Sequence, residues 1–499
     1  MPTLKEYRDA RLAKLGRLTK LGIDAYPART ARTDVAADVT KVFSKLQDST
    51  VILAGRIAAI RQHGQLVFFD LKDASGQAQI VAKADGLKAE YAQGKLGFAD
   101  LELLDTGDFV EATGKVIKTK AGEPSVEAVA MRLLTKALRP IPEQLTDKET
   151  RLRRRYLDTN INEDVRQRFL RRSQFWQANR DFLNSHGFTE INIPVLEHTT
   201  GGADAKPFKT HMDALDQDYY LRISHELPLK RLIGGGYEKV YDIGPRFRNE
   251  NYTEEHLPEH VALEYYWAYA DWRQGMKFTQ ALFQHVYQQV YGKLQFKIHE
   301  FAIDLGGQWA ELDYATIMGK HYGLDVGKTD LKEVKALLTK HKLTVEKTDN
   351  LNRGIDKLWK ELRKSIGGPA FLVNVPKFIS PLAKSSPDNP AVTERFQPII
   401  GGTEFGNGWS ELNDPQEQLA RFREQQGMRD AGDEEAQMLD IDYVEMLEYG
   451  MPPTFGWGHS ERAFWMVEGV TAREGVPFAH MRHEIDDVTK SIYPDLFQS

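Results

Sequence analysis

The sequence predicts an α+β protein, and three observations predict it. Five short β runs broken by glycine-rich turns lie between Val51 and Leu134. From Val240 to Tyr266, apolar and charged residues alternate in two runs separated by a polar loop, the pattern of an antiparallel hairpin. Long stretches at helical spacing accompany both. The first set describes a small barrel, the second a hairpin within a larger domain.

Residues 4 to 22 place Leu12, Leu15, Leu18 and Leu21 among Lys5, Arg8, Arg11, Lys14, Arg17 and Lys20, a basic amphipathic helix. Its charged face either meets water beside its own domain or touches RNA phosphates. The organisation read from the chain is a basic helical extension over 1–50, a barrel over 51–140, a linker over 141–160 and a second domain over 161–499. A helical insertion occupies about 310–368.

The five barrel runs, VILAGRIAAI, LVFFDLKD, AQIVA, GDFVEATGKVI and SVEAVAMRLL, have the spacing of an oligonucleotide-binding (OB) barrel. Such barrels stack single-stranded bases on aromatic rings and hydrogen-bond their edges, so Phe68 or Phe69, with Arg56 and Gln79, are the candidate readers. Either phenylalanine also suits the core, and alternation alone does not choose between them.

Arg151 to Arg155 form a basic block, either solvated or lying along an RNA path. A helix is predicted from Asn162 to Ser185 and a strand from Phe188 to Leu196 carrying Pro194. Gly201 and Gly202 permit close backbone approach to a ligand, and Glu226 is either a pocket acid or a helix-terminal charge.

In the hairpin, Tyr241, Ile243, Pro245 and Phe247 fall on one face and Arg246, Arg248 and Glu250 on the other. Val261, Leu263 and Tyr265 oppose His260, Ala262, Glu264 and Tyr266. The charged faces of the two strands are expected to coincide. Within the insertion, Asp330 and Glu333 form a capping pair and a second helix runs near Asn352 to Ser365; no catalytic role is read there.

Glu404 and Glu411, seven residues apart among Gly401, Gly402, Gly406 and Gly408, offer oxygen ligands of the kind Mg²⁺ takes. Gly456 and Gly458 lead to a short helix expected to be capped by Ser460, a terminus suited to phosphate, with Arg462 in its first turn.

Composition narrows the chemistry. Absence of cysteine excludes disulfides, thiolate metal sites and a cysteine nucleophile. The N-terminus has no apolar signal core and no run approaches a membrane span, so a cytoplasmic protein is expected. A net charge of -6 confines any RNA contact to local basic surfaces.

The words Phe247-Arg248-Asn249-Glu250, then His256, Pro258-Glu259 and Glu264, resemble motif 2 of the class II aminoacyl-tRNA synthetases, in the subgroup that charges lysine, aspartate and asparagine. The helix and strand around Pro194 resemble motif 1, and MPPTFGWGHSERAFWMVEG resembles motif 3. GRIAAIRQHGQLVFFDLKDASGQAQIV resembles the anticodon barrel of the same subgroup.

The resemblance implies a mainly antiparallel catalytic sheet flanked by helices, with ATP as substrate, Mg²⁺ as cofactor, tRNA as partner and a homodimer formed through motif 1. It implies that Arg248 bridges the amino-acid carboxylate and the α-phosphate and that Glu250 accepts from the adenine amino group. His256 and Arg462 would hold the phosphate tail, and Glu404 and Glu411 would sit near Mg²⁺. It also implies that Phe68 stacks an anticodon base while Arg56 and Gln79 read base edges.

Gly202, Glu226, Glu264, Tyr266, Asn407, Trp409 and Glu411 resemble the pocket of the lysine-specific members, which implies L-lysine and tRNA(Lys) as substrates. Three carboxylates suit a cationic side chain, whereas an aspartate enzyme needs a cation there. The alternatives are aspartyl or asparaginyl specificity, against which the run Ser224-His225-Glu226-Leu227 argues, and a non-catalytic RNA-binding protein.

The chain departs from the family pattern at four places. His260 stands where a phenylalanine usually stacks adenine, and Glu255 occupies a usually basic position. Gln397 replaces a usual metal-site glutamate and leaves the number of magnesium ions open. Gly456 to Arg462 is one residue shorter than the common form.

Overall fold

The computed structural model describes residues 2–250, 253–254, 256–346, 350–433 and 435–497. They fall into two compact units: Met1–Leu145 together with Arg482–Ser499, and Thr146–Met481. Residues 141–160 therefore straddle the boundary, and the chain's final stretch joins the first unit. Among the described residues, no helix is long and apolar enough to cross a membrane.

In the first unit, helix α1 (Leu4–Lys20) opens on a capping box in which Thr3 and Glu6 satisfy each other's backbone amides. Its basic face is not simply solvated. Arg11 is buried and donates to the carbonyls of Thr106, Ala137 and Arg139, while Lys14 lies 2.7 Å from Asp105.

Strands β1 (Thr50–His63), β2 (Leu66–Lys72), β3 (Gln77–Lys83), β4 (Phe109–Lys118) and β5 (Pro124–Thr135) run in the order β3–β2–β1–β4–β5, and β3 pairs with β5. That last pairing closes the barrel and removes both sheet edges. Leu53, Val67, Phe69, Leu71 and Ile80 fill its interior. The terminal helix Asp487–Ile492 lies against α1, and Tyr493 stacks under Arg8 at 5.2 Å and Arg139 at 6.0 Å.

The second unit begins with an ion-pair cluster: Arg151 and buried Arg155 approach Asp158 at 2.8 and 2.7 Å, so the basic block is not a solvated linker. Helix α2 (Glu163–Ser185) follows. The predicted strand from Phe188 to Leu196 shrinks to β6 (Thr189–Glu190), with Leu196–Glu197 pairing in another sheet. Pro194 has no N–H for a ladder, which accounts for the break.

Helix α3 (Glu226–Gly234) precedes the hairpin of β7 (Lys239–Phe247) and β8 (Glu259–Ala268). Then come helix α4 (Trp272–Tyr291), β9 (Ala310–Asp313), helix α5 (Leu351–Leu362), β10 (Ala370–Val373), β11 (Arg395–Ile400), β12 (Asn407–Ser410), β13 (Thr454–Ser460) and helix α6 (Arg462–Glu468).

These strands form one sheet in the order β9–β10–β11–β12–β13–β8–β7–β6, antiparallel except at its two ends, where β9–β10 and β7–β6 are parallel. One face packs on α2 and α4 through Phe175, Phe182, Phe283 and Tyr287. The insertion packs Val334, Leu338, Ile355, Leu358 and Trp359 into one cluster with Leu372 of β10 and Ile399 of β11.

Candidate active site

The site grows from the hairpin register. Asp242 faces Glu264, Gly244 faces Ala262, and Arg246 faces His260, so the polar faces of β7 and β8 coincide as the alternation required. Strand β7 ends at Phe247. Arg248 and Glu250 therefore stand just past its end, with Arg248 N donating to Pro258 O at 2.9 Å.

Above this face lies a cleft of about 670 Å³. Every residue expected to contact ATP lines it: Arg248, Glu250, His256, His260, Glu404 and Arg462. So do Gly202, Glu226, Glu264, Tyr266, Asn407 and Trp409, but Glu411 does not. Glu255 lies outside the described residues.

Glu264 is the most heavily held acid. Ser224 Oγ donates to it at 2.8 Å, His225 N at 3.1 Å, Tyr266 Oη at 3.2 Å, and Arg246 Nη1 lies 3.4 Å away. Burial works against its charge, yet the contacts with His225 and Arg246 bring the carboxyl down to about 2.

Glu226 and Glu411 share a different partner. Lys230, with no exposed surface, places Nζ 2.8 Å from Glu226 Oε1 and 2.7 Å from Glu411 Oε2. Burial opposes the lysine charge, but the two acids override it and raise its pKa, while burial drives both carboxyls upward. Sequence reading missed Lys230, although its place four residues after Glu226 on α3 is the spacing of a helical ion pair.

The Trp409 indole faces Glu411 and draws its carboxyl down. Neither Trp409 Nε1 nor Glu411 Oε1 meets hydrogen-bond geometry with any partner, and both are buried. Two glycines make room for this arrangement. A Cβ on Gly456 would lie 2.0 Å from Glu411 Oε1, and one on Gly202, whose φ is +83°, would lie 2.7 Å from Ser224 Oγ.

At the other end, Arg246 Nε donates to His260 Nε2 at 2.9 Å. Burial, followed by Arg246, Arg248 and Arg462, depresses His260 far below the usual histidine value, so the ring is a neutral acceptor. Arg462 Nη2 lies 3.3 Å from His256 Nε2. Arg248 Nε is buried without a hydrogen-bond partner.

The motif 3 region differs from expectation. Gly456 and Gly458 sit inside β13, and the residue capping α6 is Glu461 rather than Ser460. Ser460 Oγ still accepts from Arg462 N at 3.3 Å. Buried Glu461 pairs with Arg172, so an acid already occupies the helix start proposed for phosphate.

The two acids expected to share Mg²⁺ do not share a partner. Glu411 is committed to Lys230, whereas Glu404 accepts from Asn407 Nδ2 and lies 3.3 Å from Arg363. Asn407 Oδ1 in turn accepts from Arg395 and, at 2.7 Å, from Gln397. No group of three acids, histidines or cysteines able to hold a metal occurs among the described residues.

On the barrel, the strand register decides between the phenylalanines. Phe69 is fully buried and Phe68 points outward, beside Arg61 on β1 and Val81 on β3. Gln79 and Arg56 share that outer surface but are already engaged. Gln79 Nε2 donates to Glu123 at 3.0 Å, while Arg56 donates to Gly107 O and lies 4.2 Å over the Phe109 ring.

Residues 147–481 match the family described as tRNA synthetases class II (D, K and N), and residues 51–134 match the OB-fold nucleic acid binding domain. The chain is 40% identical to a lysine–tRNA ligase of Thermosipho africanus (strain TCF52B) over 96% of each chain. It is 39% identical to the lysine–tRNA ligase of Fervidobacterium nodosum (strain ATCC 35602 / DSM 5306 / Rt17-B1), over 99% of this chain and 98% of the other. Identity to the corresponding ligase of Thermotoga maritima is 39%, over 95% and 96%.

Proposed function

The chain belongs to the class II tRNA synthetases of the D, K and N group, and from that premise we propose that it activates L-lysine with ATP and transfers the lysyl group to the 3′ end of tRNA(Lys). In the first step the lysine carboxylate attacks the α-phosphorus; a P–O bond forms and pyrophosphate leaves. In the second a ribose hydroxyl of the tRNA takes the lysyl group and AMP departs.

The observation that carries lysine specificity is the buried charge balance. When all are ionised, Glu226, Glu264 and Glu411 are opposed by Lys230 and Arg246, which leaves one negative charge for a further cation. An ε-ammonium supplies it, and Glu226, which lines the cleft and shares Lys230 with Glu411, is the carboxylate placed to meet it. Neutral isosteres would leave that buried charge uncompensated, a cost of several kcal/mol.

Glu264, held rigid by Ser224 and Tyr266, suits the α-ammonium, with Gly202 letting the backbone close on it. Arg248 faces both the lysine carboxylate and the α-phosphate, its planar fork matching either oxyanion. Glu250 reads the adenine amino group, and His256, His260 and Arg462 hold the rest of ATP. Positioning and charge neutralisation suffice, since the reaction needs no protein nucleophile. Magnesium enters as part of the substrate, on the ATP phosphates.

Phe68 offers an outward ring for an anticodon base, with Arg56 and Gln79 on the same surface. A homodimer through α2 and β6 is the arrangement that the motif 1 resemblance supports. The deciding experiment is amino-acid-dependent ATP–pyrophosphate exchange with each amino acid separately. Exchange with lysine alone is expected; exchange with aspartate or asparagine would refute the pocket assignment, and none at all would point to a non-catalytic RNA-binding protein.

A further inference from the structure

The helical insertion, to which sequence reading gives no chemical role, reaches the cleft. Helix α5 and the turn Arg363–Ser365 bring Lys360, Arg363 and Lys364 to its wall. The two lysines are 60% and 67% exposed and pair with Asp356 and Glu361 on their own helical segment, which suits them to steering an anion toward the opening. Arg363 is different. Its side chain is 14% exposed, Nη1 lies 3.3 Å from Glu404 Oε2, and Nε is buried with no hydrogen-bond partner.

The surroundings of Glu404 are those of an anion site rather than a metal site. Arg363 and Arg395 bring two guanidinium groups, Gln397 and Asn407 bring neutral amides, and Glu404 accepts from both Asn407 and Arg363. Mg²⁺ prefers carboxylate and water oxygens in an octahedron and does not share a carboxylate readily with a guanidinium. Of the two expected acids Glu411 is taken by Lys230, which leaves Glu404, and a single carboxylate holds Mg²⁺ only with phosphate oxygens beside it. The donor set therefore does not fit a resident ion.

Taking the ATP-dependent reading of the cleft as given, we propose that Arg363 is a phosphate-binding residue that stands beside Glu404 in place of a protein-held metal. ATP then brings its own magnesium, and the insertion adds Arg363 to the positive charges that Arg248 and Arg462 already bring to the polyphosphate. Arg363 Nε is the donor left over for a phosphate oxygen, while Nη1 stays on Glu404 and fixes the plane of the fork.

The test counts metal directly. Mn²⁺ bound per nucleotide is measured by electron paramagnetic resonance on the full-length protein with a non-hydrolysable ATP analogue, alongside KM values for ATP and lysine in pyrophosphate exchange. The wild type is expected to bind a single Mn²⁺ per nucleotide. Arg363→Met should raise the ATP KM roughly ten- to hundredfold, the worth of one hydrogen bond to a charged group, and leave the lysine KM in place. Arg363→Lys should recover most of the loss, and Arg363→Met combined with Gln397→Glu should gain a second Mn²⁺.

More than one Mn²⁺ in the wild type, unchanged in Arg363→Met, would overturn the proposal, as would an ATP KM for Arg363→Met within about twofold of wild type. If the wild type fails to exchange with lysine, the functional reading falls instead. The metal count and the analogue's affinity for Arg363→Met still decide the role of Arg363.

Discussion

Arg246 joins two parts of the cleft: its Nε donates to His260 Nε2 at 2.9 Å, and its Nη1 lies 3.4 Å from Glu264 Oε1. Residues assigned to the nucleotide and to the amino acid are thus held by one guanidinium. Burial, with Arg248 and Arg462 nearby, pushes its pKa down to about 9, so Arg246 remains charged at neutral pH. Arg246→Gln is expected to raise the KM for ATP and for lysine together, each by about tenfold. In a His260→Phe background the ATP effect should vanish while the lysine effect persists. Equal ATP effects in both backgrounds would separate Arg246 from His260.

Lysine binding should release a proton. In the free protein Glu226 is raised to about 8, because burial outweighs the attraction of Lys230 and Glu411 adds its repulsion. Below that pH one proton resides on the Glu226–Glu411 pair, and an incoming ε-ammonium needs the ionised form. The lysine KM is therefore expected to fall about tenfold per pH unit on approaching pH 8 from below, then level off. Calorimetry in buffers of different ionisation enthalpy reads the proton directly; a buffer-independent binding enthalpy at pH 7 would contradict the assignment.

Removing Lys230 leaves two acids buried without their counter-ion. Lys230→Met is expected to cost about 3–5 kcal/mol in urea unfolding at neutral pH. The loss should shrink at low pH, where both acids are protonated in the folded and unfolded states alike. A loss independent of pH would mean that packing around Tyr443, 5.2 Å from Nζ, is what Lys230 supplies.

Phe68→Ala should weaken tRNA(Lys) binding by about 1–3 kcal/mol, the worth of one stacked base, and leave pyrophosphate exchange untouched. Loss of exchange would show that Phe68 supports the fold. Phe69→Ala, by contrast, should destabilise the barrel by about 3–5 kcal/mol, since that ring is fully buried.

Where period and local chemistry agree, the sequence was legible. The β7–β8 register follows from alternation, and the closed barrel follows from five short runs broken by glycine-rich turns. Choosing Phe68 over Phe69 needed the strand's inward side, which Val67 and Leu71 show once the barrel is closed. The cap of α6 was misplaced because the β13 glycines continue the strand and Glu461 carries the turn. Arg363 was beyond reach: it follows an amphipathic helix whose apolar face packs on the sheet residues Leu372 and Ile399, and only that packing brings it to Glu404.

The docking of the terminal helix has a consequence for biosynthesis. The barrel unit draws on both ends of the chain, so it is not encoded as one uninterrupted stretch. During translation the barrel strands emerge before the second unit, but Tyr493, the ring on which Arg8 and Arg139 stack, emerges only after all of that unit. The barrel unit is thus completed only after the second unit has been made, and truncation just ahead of Arg482 would spare every cleft residue while leaving the barrel unit unfinished.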